Sequence, residues 1–450
     1  MHDLLLTGGR IVTSEAIREA DIAIADGRIA SLHAPGLAVE ARRRIDVSGR
    51  LLFPGLVDAH VHLREPGLTH KEDFETGTRA AAAGGVTTLL VMPTDDPWTD
   101  TPEHLKAKIA LAQGRIHADV AFQVVVGRED TDLHVLRDLG AVSFEVFTAD
   151  VPERYRHDSI AALATALRRL RDTGVRIAVS PGEQSILEAT AGNGGIAEFL
   201  ASRPPLGEAM GIARAILAAS DTGTAIHIRQ INSALGVETL RRLKSLADVS
   251  AETTPQNLLF TTPDYSRLGN IIKASPPFRA AGDVAVLGEA LRDGTVDIVA
   301  TDHAPHAPDE KAKAYGRFSD VPGGMAGVQT LLPVMLHLAA KGVIGLTDIA
   351  RLCALNPAVR FGLGGRKGAI AAGHDADIVV VNPAGSTVIA NEGQHSKSQV
   401  TPFAGLSFPY VIEVSFLRGE TVYQAGTVVA ERRGQVLRPA AVVESGDSDG

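Results

Sequence analysis

The sequence predicts a (β/α)8 TIM-type barrel with a small β-sandwich built from both termini, and three observations point to it. From about residue 55 to 365, short apolar runs alternate with stretches whose apolar residues recur at three- and four-residue spacing, as parallel strands separated by helices require. Eight such units fit in that span, the number that closes a barrel whose chemistry sits where its strands end. Both ends of the chain read instead as short strands joined by tight turns.

At the N-terminus, strands are expected at 4–7, 10–13, 22–25 and 28–32, with Asp26-Gly27 between the last two as a hairpin signal. Barrel strands are expected at 56–62, 87–92, 121–126, 142–147, 176–179, 225–228, 249–253 and 296–301, and helical patterns at 160–172, 207–219 and 237–247 among others. Strands return at 377–381, 412–416, 420–423 and 426–429. The expected division is therefore 1–54 with 366–435 as a composite β-sandwich, 55–365 as the barrel, and 436–450 as a polar, disordered tail.

Composition narrows the function classes. The chain has 450 residues and 47.2 kDa, 45% apolar and 22% charged, ample for a large core, and no apolar stretch reaches the roughly 18–20 residues that span a bilayer. A net charge of -9 with no basic run longer than Arg42-Arg43-Arg44 gives no footprint for nucleic acid. The first residues lack a basic, long-apolar leader and Cys353 is the single cysteine, so a cytoplasmic protein without an intrachain disulfide is expected, acting on a small molecule.

The apolar run at 51–57 leads into Asp58-Ala59-His60-Val61-His62-Leu63-Arg64. On a strand, side chains two apart share a face, so His60 and His62 project together. Two imidazoles on one face suit a divalent metal; a pair of hydrogen-bonded core histidines is the other reading.

Further motifs follow in order: Gly84-Gly85-Val86-Thr87-Thr88 with Met92-Pro93, Arg203-Pro204-Pro205 with Glu208, Pro276-Pro277-Phe278-Arg279, Thr301-Asp302-His303-Ala304-Pro305-His306, and Lys367-Gly368 with Gly373-His374-Asp375-Ala376-Asp377. With the His-x-His segment these resemble the cyclic amidohydrolases, dihydroorotase foremost, with allantoinases and hydantoinases as near relatives. The resemblance implies a metal-dependent barrel that opens a cyclic amide with water. It also implies metal ligands from the first-strand His-x-His, a carboxylated lysine ending strand four, histidines after strands five and six, and an aspartate ending strand eight. Here His60, His62 and Asp302 match that pattern, whereas Glu145 stands at the lysine position and Pro181 and Gln230 at the two histidine positions. His227 matches a non-ligand position three residues before Gln230.

Proline offers no side-chain donor and a glutamine oxygen is a poor zinc ligand, so the second metal position is expected to be absent. One divalent ion, zinc first and manganese second, is expected on His60, His62, Glu145 and Asp302, with Asp302 moving the proton from water to the leaving nitrogen. Glutamate is shorter than a carboxylated lysine, so Glu145 reaches the ion only if metal or backbone shifts. The resemblance places Arg64 and His306 on a substrate carboxylate, with Thr94 and Ser275 where the family carries asparagines. A salt bridge from Arg64 to Glu65 or Asp58 is the structural alternative. Trp98 reads as a ring cap or as packing, and the glycines of 323–327 as a close approach to a ligand or as a simple connection.

The expected function is hydrolysis of a C–N bond in a carboxylate-bearing cyclic amide or imide by a single metal-activated water. The alternative is a catalytically inactive homologue with a structural, assembly or ligand-sensing role. The resemblance further implies a homodimer or homotetramer, while composition and charge predict no nucleic-acid or membrane partner.

Overall fold

A computed structural model describes residues 1–190 and 194–440. Its barrel strands are Leu56–Val61, Val86–Val91, Asp119–Val125, Ala141–Phe147, Ile177–Ser180, Ile226–Ile228, Val249–Thr253 and Ile298–Val299, each hydrogen-bonded in parallel to the next. The ring closes where Val61 bridges His303 and the His62 N–H donates to the His303 carbonyl at 2.7 Å. The first three strands are buried along their whole length, because helices cover one face and the barrel interior the other; their near-continuous apolar composition follows from that double burial.

The helices begin where sequence chemistry lets them. Thr101, Ser159 and Ser233 accept from the backbone N–H groups of His104, Ala162 and Gly236, capping Pro102–Ala112, Ile160–Arg171 and Ala234–Leu243. Arg168, Arg169 and Arg171 occupy the last turn of Ile160–Arg171, where cations complement the negative end of the helix dipole. No described helix is long and apolar enough to cross a membrane.

The second sheet gathers both termini. Its path runs Thr427–Val428, Glu420–Gln424, Ser407–Leu417, Ile378–Val388, Leu51–Pro54, His2–Val12, Ile17–Ala25 and Arg28–His33, with Ala41–Asp46 parallel to His2–Val12. The two strands expected at 4–7 and 10–13 are one strand, interrupted by a shift of register between Leu6 and Gly9. Gly8 makes that irregularity at φ 74°, and a Cβ there would fall 2.3 Å from Ser48 Oγ. The Asp26-Gly27 hairpin is as expected, with φ of 51° and 73° at its two central residues.

A buried ionic knot joins barrel to sheet. Lys367 Nζ lies 2.6 Å from Asp119 Oδ2, 2.6 Å from Asp377 Oδ2 and 3.0 Å from Asp375 Oδ2, while Arg418 reaches Asp119 at 2.6 Å. Residues 436–440 depart from the expected disordered tail. Val436 bridges Val120, the Leu437 N–H donates to the Val120 carbonyl at 2.7 Å, and Leu437 is buried, so an apolar anchor holds this stretch on the barrel. The rest of that tail, 441–450, lies outside the described residues.

Candidate metal centre

The C-terminal ends of the first and eighth barrel strands bring His60, His62 and Asp302 together, with one donor atom from each inside 4.8 Å of the others. His60 Nε2 and His62 Nε2 stand 3.3 Å and 3.2 Å from Asp302 Oδ1. Donors bound at about 2.0–2.1 Å to a tetrahedral ion lie roughly 3.3–3.4 Å apart, so the three residues fit one divalent ion with a fourth position left over. The imidazoles are fixed from behind: His60 Nδ1 is 2.6 Å from Glu252 Oε1, and His62 Nδ1 is 2.8 Å from Thr94 Oγ1. With Nδ1–H donated in each case, both Nε2 lone pairs face Asp302, the arrangement in which outer groups orient metal-binding imidazoles.

Charge at the site is finely opposed. Burial works against a His60 imidazolium, yet the Asp302 and Glu252 carboxylates outweigh it and raise its pKa. His62 is pushed down to about 3 by burial, reinforced by the Arg64 guanidinium against a partial counterweight from Asp302. Three residues at the barrel mouth take left-handed backbone conformations that a side chain disfavours: Arg64 at φ 58°, Gln230 at 50° and Asp302 at 47°. Such strain gathers at functional sites, where surrounding structure holds it in place.

Glu145 does not reach this cluster. Fully buried, it accepts from Ser180 Oγ at 2.6 Å and from Arg229 Nε at 3.1 Å, so both carboxylate oxygens are engaged by other groups. Gln230 Nε2 donates to Asp302 Oδ2 at 2.6 Å and thus steadies that carboxylate. Pro181 and Gln230 also line a cavity of about 230 Å³ beside the cluster, with Ser180, Arg203, Ser275 and Arg279 on its wall.

The expected substrate groups fall in separate places. Thr94 serves His62. Arg64 is half-buried and pairs with neither Glu65 nor Asp58: Glu65 binds Arg115 at 2.6 Å, and Asp58 accepts from Thr301. Its Nε donates to the Pro305 carbonyl at 3.3 Å, its Nη2 faces His306 Nε2 at 3.5 Å, and among the described residues it has no carboxylate partner. Burial and the Arg64 charge push His306 down to about 3, so it stands neutral beside that cation. Ser275 sits on the cavity wall, donating to Asp150 at 3.0 Å and accepting from Arg203 at 3.3 Å. Trp98 stacks on Tyr155 with centroids 4.4 Å apart, which makes it packing. The glycine-rich segment approaches protein: a Cβ on Gly324 would lie 2.5 Å from the Ala304 carbonyl, and the Gly327 N–H donates to His303.

Glu252 and Arg229 were not singled out from the sequence. A signal was there: an acid inside the apolar strand 249–253, and a cation at the end of 225–228, each demand a buried partner of opposite charge.

Known proteins resemble the chain along almost its whole length. Residues 51–422 match the model of the amidohydrolase family. An allantoinase of Rubrobacter xylanophilus is 36% identical over 97% of this chain and 98% of its own length, and an allantoinase of Deinococcus radiodurans is 37% identical over 98% and 99%. Among solved structures, an L-hydantoinase (dihydropyrimidinase) from Arthrobacter aurescens superposes with a TM-score of 0.93 at 30% identity, covering 97% of this chain and all of that one. With matched motifs, a shared barrel and sheet, and relatives aligned end to end, the chain belongs to the amidohydrolase family, as a cyclic amidohydrolase of that superfamily.

Proposed function

We propose that the chain hydrolyses a C–N bond in a cyclic amide or imide bearing a carboxylate, with one divalent ion on His60, His62 and Asp302. The carrying observation is the three-donor set, spaced for a single ion and backed by Glu252 and Thr94. Zinc suits the two imidazoles and one carboxylate best, with manganese second. Bound there, the ion would acidify water toward neutrality and polarise the ring carbonyl.

The chain's own groups divide the remaining work. Asp302 takes the proton of the attacking water and returns it to the leaving ring nitrogen, with its free orientation limited by Gln230. Arg64, a half-buried cation with no acid partner among the described residues, grips the substrate carboxylate beside neutral His306. Thr94 acts through His62, and Ser275 stands on the cavity wall between Asp150 and Arg203. The cavity of about 230 Å³ walled by Gln230 and Ser275 is lined by none of His60, His62, Arg64 and Asp302 and lies to one side of them. The named allantoinase and hydantoinase relatives make hydantoin-type rings the first candidates to try.

A screen of hydantoins, dihydropyrimidines, allantoin and cyclic imides, each with and without a ring carboxylate and with zinc or manganese added, tests the reading. Turnover of a carboxylate-bearing ring is expected. Absence of turnover for every ring favours the second reading, an inactive homologue with a structural, assembly or ligand-sensing role, which the substitutions Glu145, Pro181 and Gln230 motivate. A homodimer or homotetramer belongs to the same proposal: Leu206, Met210 and Leu217 are exposed on the outer helix Pro205–Thr222, and a stable monomer in solution would contradict it.

A further inference from the structure

Among the described residues, none of those at the expected second-ion positions keeps a free donor. Pro181 has none, Gln230 is spent on Asp302, and Glu145 is spent on Ser180 and Arg229. A guanidinium lies beside these groups, bonded to Glu145 and on the same cavity wall as Pro181 and Gln230. Arg229 follows the sixth barrel strand and is wholly buried, yet it donates from Nε to Glu145 at 3.1 Å, and from Nη1 to Glu252 Oε2 and the Ala59 carbonyl at 3.0 Å each. Its Nη2 donates to Gln123 Oε1. Four strands besides its own thus supply acceptors to one cation.

The charges are mutually obligatory. An unpaired buried guanidinium or carboxylate is very costly, so Arg229 and its two acids exist only together. Glu252 is the joint of the network: Oε2 accepts from Arg229 and from His227 Nε2 at 2.9 Å, and Oε1 holds His60 Nδ1 at 2.6 Å. A planar fork fixes its acceptors in direction as well as distance, which an ammonium does not.

We infer that Arg229 is the permanent second cation of this centre: it stands beside the residues at the expected second-ion positions and, through Glu252, fixes the ring of His60 toward Asp302. It is a positioning residue that touches neither substrate nor reacting atoms. The inference rests on the reading that His60, His62 and Asp302 hold one ion, and it implies that the centre accepts no more than one.

Cobalt(II) titration, followed by visible absorption and by elemental counting, tests it on the wild type, on Arg229→Lys, and on Arg229→Met combined with Glu145→Gln, which removes the cation and one acid together. The wild type is expected to take one equivalent. Variants shown to be folded by circular dichroism are expected to bind cobalt about 10- to 100-fold more weakly, as disturbed outer-shell partners do. A folded variant that binds cobalt as tightly as the wild type overturns the inference alone, whereas two equivalents in the wild type overturn it together with the single-ion part of the proposed function. No cobalt at all on the wild type removes the underlying reading, and this inference with it. If neither variant folds, the wild-type count decides. Turnover is not read, so the inference stands or falls apart from the choice of ring.

Discussion

Lys367→Met removes the cation at the junction of barrel and terminal sheet. Lys367 is 1% exposed and holds three carboxylates within 3.0 Å, those of Asp119, Asp375 and Asp377. Methionine fills a similar volume but leaves those acids facing a thioether, with Arg418 still on Asp119 and Arg366 on Asp375. Breaking a buried pair from one side costs about 3–5 kcal/mol, and the two remaining arginines place this case near ~3 kcal/mol. That is a large share of the ~5–15 kcal/mol by which native proteins are stable. Urea unfolding followed by far-UV circular dichroism reads the difference. The pH dependence has a definite sign. Burial opposes the Lys367 ammonium, but Asp377, Asp119 and Asp375 outweigh it, so its folded pKa lies above the unfolded value. Its contribution is whole below about pH 10.4 and is lost only as pH rises through the higher folded value. The wild-type advantage is therefore expected to hold steady from pH 6 to 9. A difference below ~1 kcal/mol, or one that halves between pH 7 and 9, would refute the reasoning.

Other substitutions probe the site directly. Thr94→Val takes away the only fixed partner described for His62 Nδ1 and is expected to weaken metal affinity about 10- to 100-fold in a chelator competition; unchanged affinity would show that Thr94 does not orient the ring. Arg64→Met is expected to remove the proposed charge-assisted contact, worth about 1.5–3 kcal/mol or roughly 10- to 150-fold in kcat/KM for a carboxylate-bearing ring. The same variant should leave an uncharged ring nearly unaffected, and equal losses on both would contradict the assigned clamp. Gly67→Ala would drive a Cβ to 2.0 Å from the Asp96 carbonyl at a backbone φ of 82°, so a fall in thermal stability of at least ~1 kcal/mol is expected from calorimetry.

Fold and site were legible in the sequence to different depths. The eight barrel strands fall within a few residues of their expected positions because strands buried on both faces must be almost wholly apolar, and few other segments are. The terminal strand His2–Val12 looks like two in the sequence, since glycines at 8 and 9 suggest a turn where the structure has a bulge. That His60, His62 and Asp302 come together could be read because metal chemistry restricts residue type and a strand fixes the spacing of the first two. Glu145 could not be placed: a carboxylate at a strand end is equally suited to an ion and to a guanidinium, and its choice of Arg229 depends on a neighbour 84 positions away. Arg64 shows the reverse case, where two adjacent acids offered local salt bridges and tertiary partners claimed both.

Ring opening by Asp302→Asn, measured beside the wild type with metal content determined for each, is the most direct probe of whether this barrel is a hydrolase that uses its single-ion half-site. Asparagine keeps the size of the side chain but removes the group that carries the proton. The expected result is turnover by the wild type and a loss of at least about 100-fold in kcat in the variant at saturating zinc or manganese. Turnover that persists undiminished in the variant, or a wild type inert toward every ring at full metal occupancy, would contradict it.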